Sequence, residues 1–342
     1  MIKTAIVILN WNGSKMLQQF LPSVIRYSQA EDVVIYVADN GSTDDSVAML
    51  QKDFPEVSLL ILDKNYGFAE GYNRALQDIQ AEYAVLLNSD VEVSESWLQP
   101  LTEYMDSHPD AVACQPKILS YRDKSNFEYA GACGGFMDKY GYPFCRGRIF
   151  GIVEKDEGQY NSTIPIFWAT GAALFIRLKD YFKVGGLDAS FFAHMEEIDL
   201  CWRLRSRGYQ IVCLPQSTVY HVGGATLKKE NPFKTFLNFR NNLIMLYKNL
   251  PEEEISKVMR VRRFLDYLAA FSFLLKGNYS NMCAVFKARK EFKNRKGQYK
   301  TAREENLKES VNKDIPEILH HSVLSDFYLR QCHSFRQIHW EK

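Results

Sequence analysis

Asn88-Ser89-Asp90-Val91-Glu92 follows directly on the apolar run at residues 83–87, so a buried strand delivers a small acidic cluster to its carboxyl end. In open α/β sheets that end is where ligands bind. A carboxylate there, beside other oxygen donors and with room for a diphosphate, suits Mg²⁺ or Mn²⁺, which take one or two carboxylates plus phosphate oxygens. Asn, Ser and Asp also serve as ordinary turn residues after a strand. Asp39-Asn40-Gly41-Ser42-Thr43-Asp44 repeats the pattern after a second apolar run. Its Asn-Gly pair permits a sharp turn, which leaves Asp39 over the sheet edge to accept hydrogen bonds from a ribose hydroxyl or a base N–H. Two carboxyl-bearing strand ends in one doubly wound sheet open into a common crevice.

Asn65-Tyr66-Gly67-Phe68-Ala69-Glu70-Gly71-Tyr72-Asn73 places two glycines ahead of a helix. It is neither the G-x-G-x-x-G fingerprint nor a P-loop, since no P-loop lysine follows. It suits either close backbone approach to a nucleotide, with the helix N-terminus favouring an anion, or a helix cap with a packing glycine. The most loaded segment is 191–203, where Glu196, Glu197 and Asp199 fall at the start of a helix. Acids there complement the helix dipole, and a carboxylate held near a hydroxyl acts as a general base. His221, ahead of Gly223-Gly224, reads as a satisfied buried histidine or as a metal ligand completing the Asp90 site.

The elements that carry these residues come from the pattern of apolar runs. Residues 5–9, 33–38, 57–62, 83–87 and 111–114 read as strands, and 15–27, 44–52, 69–77 and 97–108 as helices, with Asp44 or Ser42 capping the second. The alternation predicts an α/β fold with a mostly parallel sheet and helices on both faces. Periodicity fails over 118–164, which reads as a long excursion above the sheet. A buried strand returns within 167–177, followed by a helix at 196–207 ended by Gly208 and a strand at 210–214. Past His221 the texture is helical, giving a division into 1–225 and a helical extension, 226–342.

The chain has 342 residues, 46% of them hydrophobic, and a net charge of +1. Disorder is excluded. Seven cysteines lie singly with no C-x-x-C spacing, which points to a reducing, cytoplasmic setting and to no zinc site. The apolar start at 5–9 is too short for a signal peptide's core. Charge is uneven: residues 226–310 hold 19 Lys/Arg against 9 Asp/Glu. The apolar stretch 264–275 is too short to span a bilayer. With its basic flanks it suits the face of an anionic membrane, packing on the rest of the chain, or a homodimer interface. Aromatic residues interleave with the cations, yet no nucleic-acid-binding module is present.

In order and spacing, Asn10-Trp11-Asn12, Asp39 to Asp44, Asn65-x-Gly67-Phe68-Ala69-x-Gly71-x-Asn73, Leu87 to Asp90, Thr170-Gly171-Ala172, Phe191-Phe192, Glu196-Glu197-Ile198-Asp199, Trp202-Arg203 and His221-x-Gly223-Gly224 resemble glycosyltransferase family 2, nearest its rhamnosyltransferase-like branch. The resemblance covers residues 3–250. It implies a GT-A fold and an inverting transfer from a nucleoside-diphosphate sugar to a hydroxyl of a glycan or lipid-linked acceptor, without nucleic acid. By the resemblance, Asn10, Asn12, Asp39, Asn65, Gly71, Asn73, Asn88, Ser89, Thr170, Gly171 and Arg240 line the donor site. Asp90 and His221 hold Mg²⁺ or Mn²⁺. Glu197 is the base, with Glu196 as its alternative. Asn88 stands where an acid is often found, and Glu197 where Asp is usual. Two other readings keep the pocket: a sugar-1-phosphate nucleotidyltransferase, against which the loop after the first strand offers one Gly and one Lys, and a non-catalytic nucleotide-sugar-binding protein.

Overall fold

The computed structural model describes residues 2–223 and 231–340. Gly224 and the expected boundary at 225/226 lie outside the described residues.

A nine-stranded sheet forms the centre. Its strands are β1 (Ile2–Asn10), β2 (Val33–Asn40), β3 (Ser58–Leu62), β4 (Ala81–Leu87), β5 (Val91–Val93), β6 (Ala111–Ser120), and, after an excursion, Ile164–Pro165, Ala173–Arg177 and Gln210–His221. The excursion carries β7 (Gly135–Asp138), β8 (Pro143–Cys145), β9 (Arg148–Ile149) and β10 (Ile152–Val153), so the last three central strands are β11, β12 and β13. Their order is β11-β13-β6-β12-β4-β1-β2-β3, with β5 paired to β13. β4, β1, β2 and β3 run parallel, as the alternation predicts. β12 enters antiparallel between β4 and β6, a reversal that a buried apolar run cannot announce because its pattern is the same in either direction.

Helices α1 (Ser14–Tyr27), α2 (Ser46–Asp53), α3 (Gly67–Gln77) and α4 (Gln99–Ser107) cover both faces of this sheet. Along β1, Ile6 and Ile8 pack with Leu17, Leu21 and Met49 of α1 and α2, whereas Ala5 and Val7 pack with Ala69, Tyr72 and Leu76 of α3. That two-sided burial explains why the strands read as continuous apolar runs. Asp44 serves two helices at once: Oδ2 accepts from the Ser14 amide at 3.1 Å and Oδ1 from the Ser46 amide at 3.1 Å.

Two expectations need correction. The strand beginning at Gln210 does not stop at 214; it continues to His221 past a register shift between Leu214 and Thr218. The 118–164 stretch is not formless. It builds a second sheet in the order β10-β9-β8-β7, completed by a strand from the far end of the chain, β14 (Ile318–Leu319), parallel to β7.

After β12 come α5 (Leu178–Lys183) and α6 (Glu196–Ser206), then α7 (Pro232–Asn249), α8 (Glu252–Leu275), α9 (Tyr279–Arg295), α10 (Lys300–Glu309) and α11 (Val323–Tyr328). Leu243, Ile244, Met245, Leu246, Leu319 and Ile338 join the same apolar cluster as Ala5, Leu174 and Leu200. The C-terminal helices therefore share the core of the sheet.

Candidate functional site

The carboxyl ends of β1, β2 and β4 lie side by side. Asn10 Nδ2 donates to Asp39 Oδ2 at 3.0 Å and to Ser42 Oγ at 3.2 Å, and Asp39 Oδ1 accepts from the Ser42 amide at 2.9 Å. Asn12, with φ 51°, accepts from the Thr43 amide at 2.7 Å through its Oδ1. This network fixes the two loops against each other and leaves one group over: Asn10 Oδ1 is buried with no hydrogen-bond partner. A Cβ at Gly13 would come within 2.4 Å of that oxygen, and Ser89 Oγ stands 3.8 Å from the same point. Only glycine leaves this small cradle open to a ligand's N–H or O–H.

Asp90 and His221 meet because β5 pairs antiparallel with β13, setting Val91 opposite His221. His221 Nε2 lies 3.1 Å from Asp90 Oδ1 and 3.3 Å from Asn88 Nδ2. Its other ring nitrogen, Nδ1, lies 3.3 Å from Glu128 Oε2. Burial draws the ring's pKa down, but the carboxylates of Asp90 and Glu128 outweigh it and raise it to about 10. Glu128 falls in the stretch without periodicity, and nothing in its neighbourhood sets it apart as a sequence.

Asp90 and His221 could hold a divalent cation once the imidazole gives up the proton that the two carboxylates favour. Asp90 Oδ1 and His221 Nε2 are adjacent, and the second imidazole nitrogen faces a carboxylate, one of the usual partners of a ligating histidine. Among the described residues no group of three or more His, Cys, Asp or Glu side chains could hold a metal ion, so phosphate oxygens and water would have to complete the shell.

The carboxylate pair stands at the start of α6. Glu196 Oε2 and Glu197 Oε2 are both buried without a hydrogen-bond partner. Burial pushes the Glu197 carboxyl up to about 7. Burial, then the neighbouring charge of Glu197, pushes Glu196 well above the usual carboxylate range. Burial therefore favours the protonated form of both carboxyls. Asp199, the third acid of the segment, plays a different part. It is fully buried and takes Arg203 at 3.0 Å, Lys248 at 2.9 Å and Asn249 at 2.9 Å.

The loop leading into α6 is strained. Phe192, His194 and Met195 have φ of 66°, 70° and 73°, a conformation that costs a non-glycine residue about 1–3 kcal/mol each. It is held from α7. Asn241 Nδ2 donates to the carbonyls of Phe191, Ala193 and His194 at 3.0, 2.9 and 2.7 Å. Gly67 adds a contact that no other residue permits, since its φ is +78° and a Cβ would lie 2.5 Å from the Phe192 ring. Sequence reasoning misses Asn241; the signal available is a polar pair, Arg240-Asn241, interrupting the buried stripe of α7.

Both halves of the site stand at one end of the sheet. Asn88 N donates to Ala172 O at 3.0 Å, and a Cβ at Gly171 would lie 4.0 Å from Glu197 Cβ. Thr170 shapes that link, its Oγ1 accepting from the Ala172 amide at 3.2 Å.

Four residues expected at the donor site are engaged elsewhere. Arg240, expected on the diphosphate side, donates instead to the Ser190 and Phe191 carbonyls at 3.2 Å each and faces Glu291 at 3.3 Å. Asn73 pins the 185–187 turn through Leu187 and Tyr181. Asn65 Oδ1 accepts from the Gly67 amide at 2.8 Å, closing its own loop. Gly71 is a packing glycine, with Leu9 and Asn40 where a Cβ would stand. Cavities of 590 and 380 Å³ lie beside α8 and under the 184–189 turn, and neither is lined by Asp90, His221 or Glu197.

Residues 5–172 match the family model described as Glycosyl transferase family 2. The chain is 26% identical over 234 residues to N-acetylglucosaminyl-diphospho-decaprenol L-rhamnosyltransferase of Mycobacterium tuberculosis, covering 63% of this chain and 75% of that one. It is 26% identical over 165 residues to Rhamnosyltransferase WbbL of Escherichia coli K12, covering 46% of this chain and 61% of the relative. Among solved structures it is similar to GalNAc-T7 with UDP, GalNAc and Mn²⁺, at TM-score 0.57 and 14% identity over 72% of this chain and 48% of the other. It is also similar to the mannosyltransferase PcManGT from Pyrobaculum calidifontis in complex with GDP-Man and Mn²⁺, at TM-score 0.52 and 11% identity over 90% of this chain and 84% of the other. The likeness to these structures establishes the fold.

Proposed function

We propose that this chain, whose residues 5–172 match the glycosyl transferase family 2 model and which is similar to rhamnosyltransferases, moves a hexosyl group, with inversion, from a nucleoside-diphosphate sugar to a hydroxyl of a lipid-linked saccharide at a membrane surface. The observation that carries the reading is the unpartnered Glu196–Glu197 pair at a strained helix start, linked through Gly171 and Asn88 to Asp90 and His221.

In this reading Asn10, Asn12 and Asp39 receive the nucleoside, with the free Asn10 Oδ1 as an acceptor toward it. Ser89, Asn88, Thr170 and Gly171 line the path from diphosphate to sugar. Asp90 and His221 would hold a divalent cation, which when bound offsets negative charge on the leaving diphosphate. Glu197 accepts the proton of the acceptor hydroxyl as its oxygen bonds to the anomeric carbon, and the bond from that carbon to the diphosphate oxygen breaks. The nucleoside diphosphate leaves with the electron pair. One displacement inverts the centre, so no second nucleophilic carboxylate is required. Burial and its neighbour's charge favour the protonated form of Glu196, which supports Glu197 as the working base. Its pKa near 7 suits a general base at neutral pH. Asn65, Gly71, Asn73 and Arg240 act as scaffold, holding the loops that carry these groups.

The test is nucleotide release from UDP-, GDP- and dTDP-sugars with Mn²⁺, by the parent and by Glu197→Gln. The reading expects one donor class to turn over in the parent and to fail in the variant. Pyrophosphate as the product, or no turnover with any donor, defeats it.

A further inference from the structure

Along α8, Phe264, Tyr267, Leu268, Phe271, Leu274 and Leu275 are all exposed. Their spacing of three and four puts them on one stripe, opposite the buried Ile255, Val258, Arg262 and Asp266. Phe264, Phe271 and Leu275 are 64%, 55% and 73% exposed. Phe286 of α9 joins them, its ring 5.7 Å from Tyr267, and Tyr279 stands 62% exposed at the turn between the helices. An apolar face this continuous marks an interaction surface. Among the described residues no helix is long and apolar enough to cross a membrane.

Charge indicates what covers it. The same stripe continues toward the N-terminus of α8 as Arg260 and Arg263, which line the 590 Å³ groove with Lys296 and Lys300. Arg260, Arg263 and Lys296 form no ion pair with a carboxylate among the described residues, whereas Glu252 and Glu304, the acids of that groove, already face Arg303 and Lys300. Residues 260–300 contain eleven Lys/Arg and two Asp/Glu. Both acids are spent within the fold, Asp266 on Arg262 and Arg289, and Glu291 on Arg240 and Arg295. A second copy of this chain would bring like charges together, and an apolar partner would leave the cations unmatched. An anionic lipid surface satisfies both halves, taking aromatic rings at the headgroup boundary and cations at the phosphates.

We propose that the exposed face of α8 and α9 is a docking surface for an anionic bilayer, with Phe264, Phe271 and Leu275 entering the interface and Arg260 and Arg263 pairing with lipid phosphates. This deepens the reading above, resting on its lipid-linked acceptor: the face would seat the enzyme where such an acceptor is anchored.

Cosedimentation with phosphatidylglycerol vesicles and with phosphatidylcholine vesicles tests it on the full chain. The parent should pellet with the anionic vesicles and be released by salt. Phe264→Ser with Phe271→Ser should lower the partition on the order of a hundredfold. Arg260→Gln with Arg263→Gln should lower it on the order of twentyfold, at roughly fivefold per cation. All four positions are exposed, and melting curves check that the variants fold. Nucleotide release from the donor without vesicles should be equal in parent and variants. Equal pelleting of parent and both variants overturns the proposal, as does a parent that stays in the supernatant, or one that is a dimer dissociated by the Phe substitutions. Absent donor turnover with vesicle binding retained would sink glycosyl transfer and leave the docking face supported.

Discussion

Replacing Glu197 by Gln separates the cost of the base from its use. The Glu197 carboxyl is raised by burial from the usual 4.5 to about 7. The folded chain therefore binds this proton more tightly than the unfolded chain, so stability is fully present below about pH 4.5 and lost as pH rises toward 7. At 1.36 kcal/mol per pH unit, the interval is worth about 3 kcal/mol. Gln cannot ionise, so Glu197→Gln should flatten this dependence. Urea unfolding at about pH 4 and about pH 8 should show the variant gaining about 3 kcal/mol relative to the parent between the two conditions, whatever constant penalty the buried amide adds. The same substitution should lower kcat roughly 10²–10⁴-fold, the usual contribution of a general base. In the parent, kcat should rise with pH through an apparent pKa near 7, because the base must be ionised. A variant with the parent's stability slope refutes the burial argument, and one with undiminished kcat refutes the assignment of the base.

Three other substitutions probe the scaffold. Glu128→Gln removes the carboxylate facing His221 Nδ1 and should weaken Mn²⁺ activation of donor turnover roughly 10–100-fold, read from the Mn²⁺ concentration at half-maximal rate. Gly67→Ala forces a Cβ into a left-handed backbone against Phe192; it should cost at least about 1–2 kcal/mol in urea unfolding and lower kcat through the displaced loop. Lys248→Met leaves Asp199 and Asp188 without their shared ammonium and should destabilise by about 3–5 kcal/mol.

The first half of the sheet was legible because buried parallel strands and amphipathic helices carry different periods, and the acidic strand ends stood out against them. Asp90 and the Glu196–Glu197 pair stood out as candidate chemistry without coordinates. The direction of β12 could not, since burial on both faces erases alternation. The second sheet was hidden for another reason: its strands are two to four residues long, and its last partner, β14, comes from some 180 residues downstream of β7. Glu128 belongs to that hidden region, so the carboxylate that orients His221 had no local signature. Arg240 was expected at the diphosphate by the resemblance alone; in the fold its carbonyl partners come from a loop fifty residues earlier.

The grip of Asn241 on the carbonyls of Phe191, Ala193 and His194 has a consequence for where the enzyme can be cut. The matched family segment ends at residue 172, ahead of both glutamates and of the helix that bends their backbone into place. A fragment trimmed after β13 would keep Asp90, Glu196, Glu197 and His221 and lose the three hydrogen bonds that hold the loop ahead of the two glutamates. Chimeras that exchange the C-terminal helices between relatives must therefore carry this asparagine and its target loop as a single inheritance.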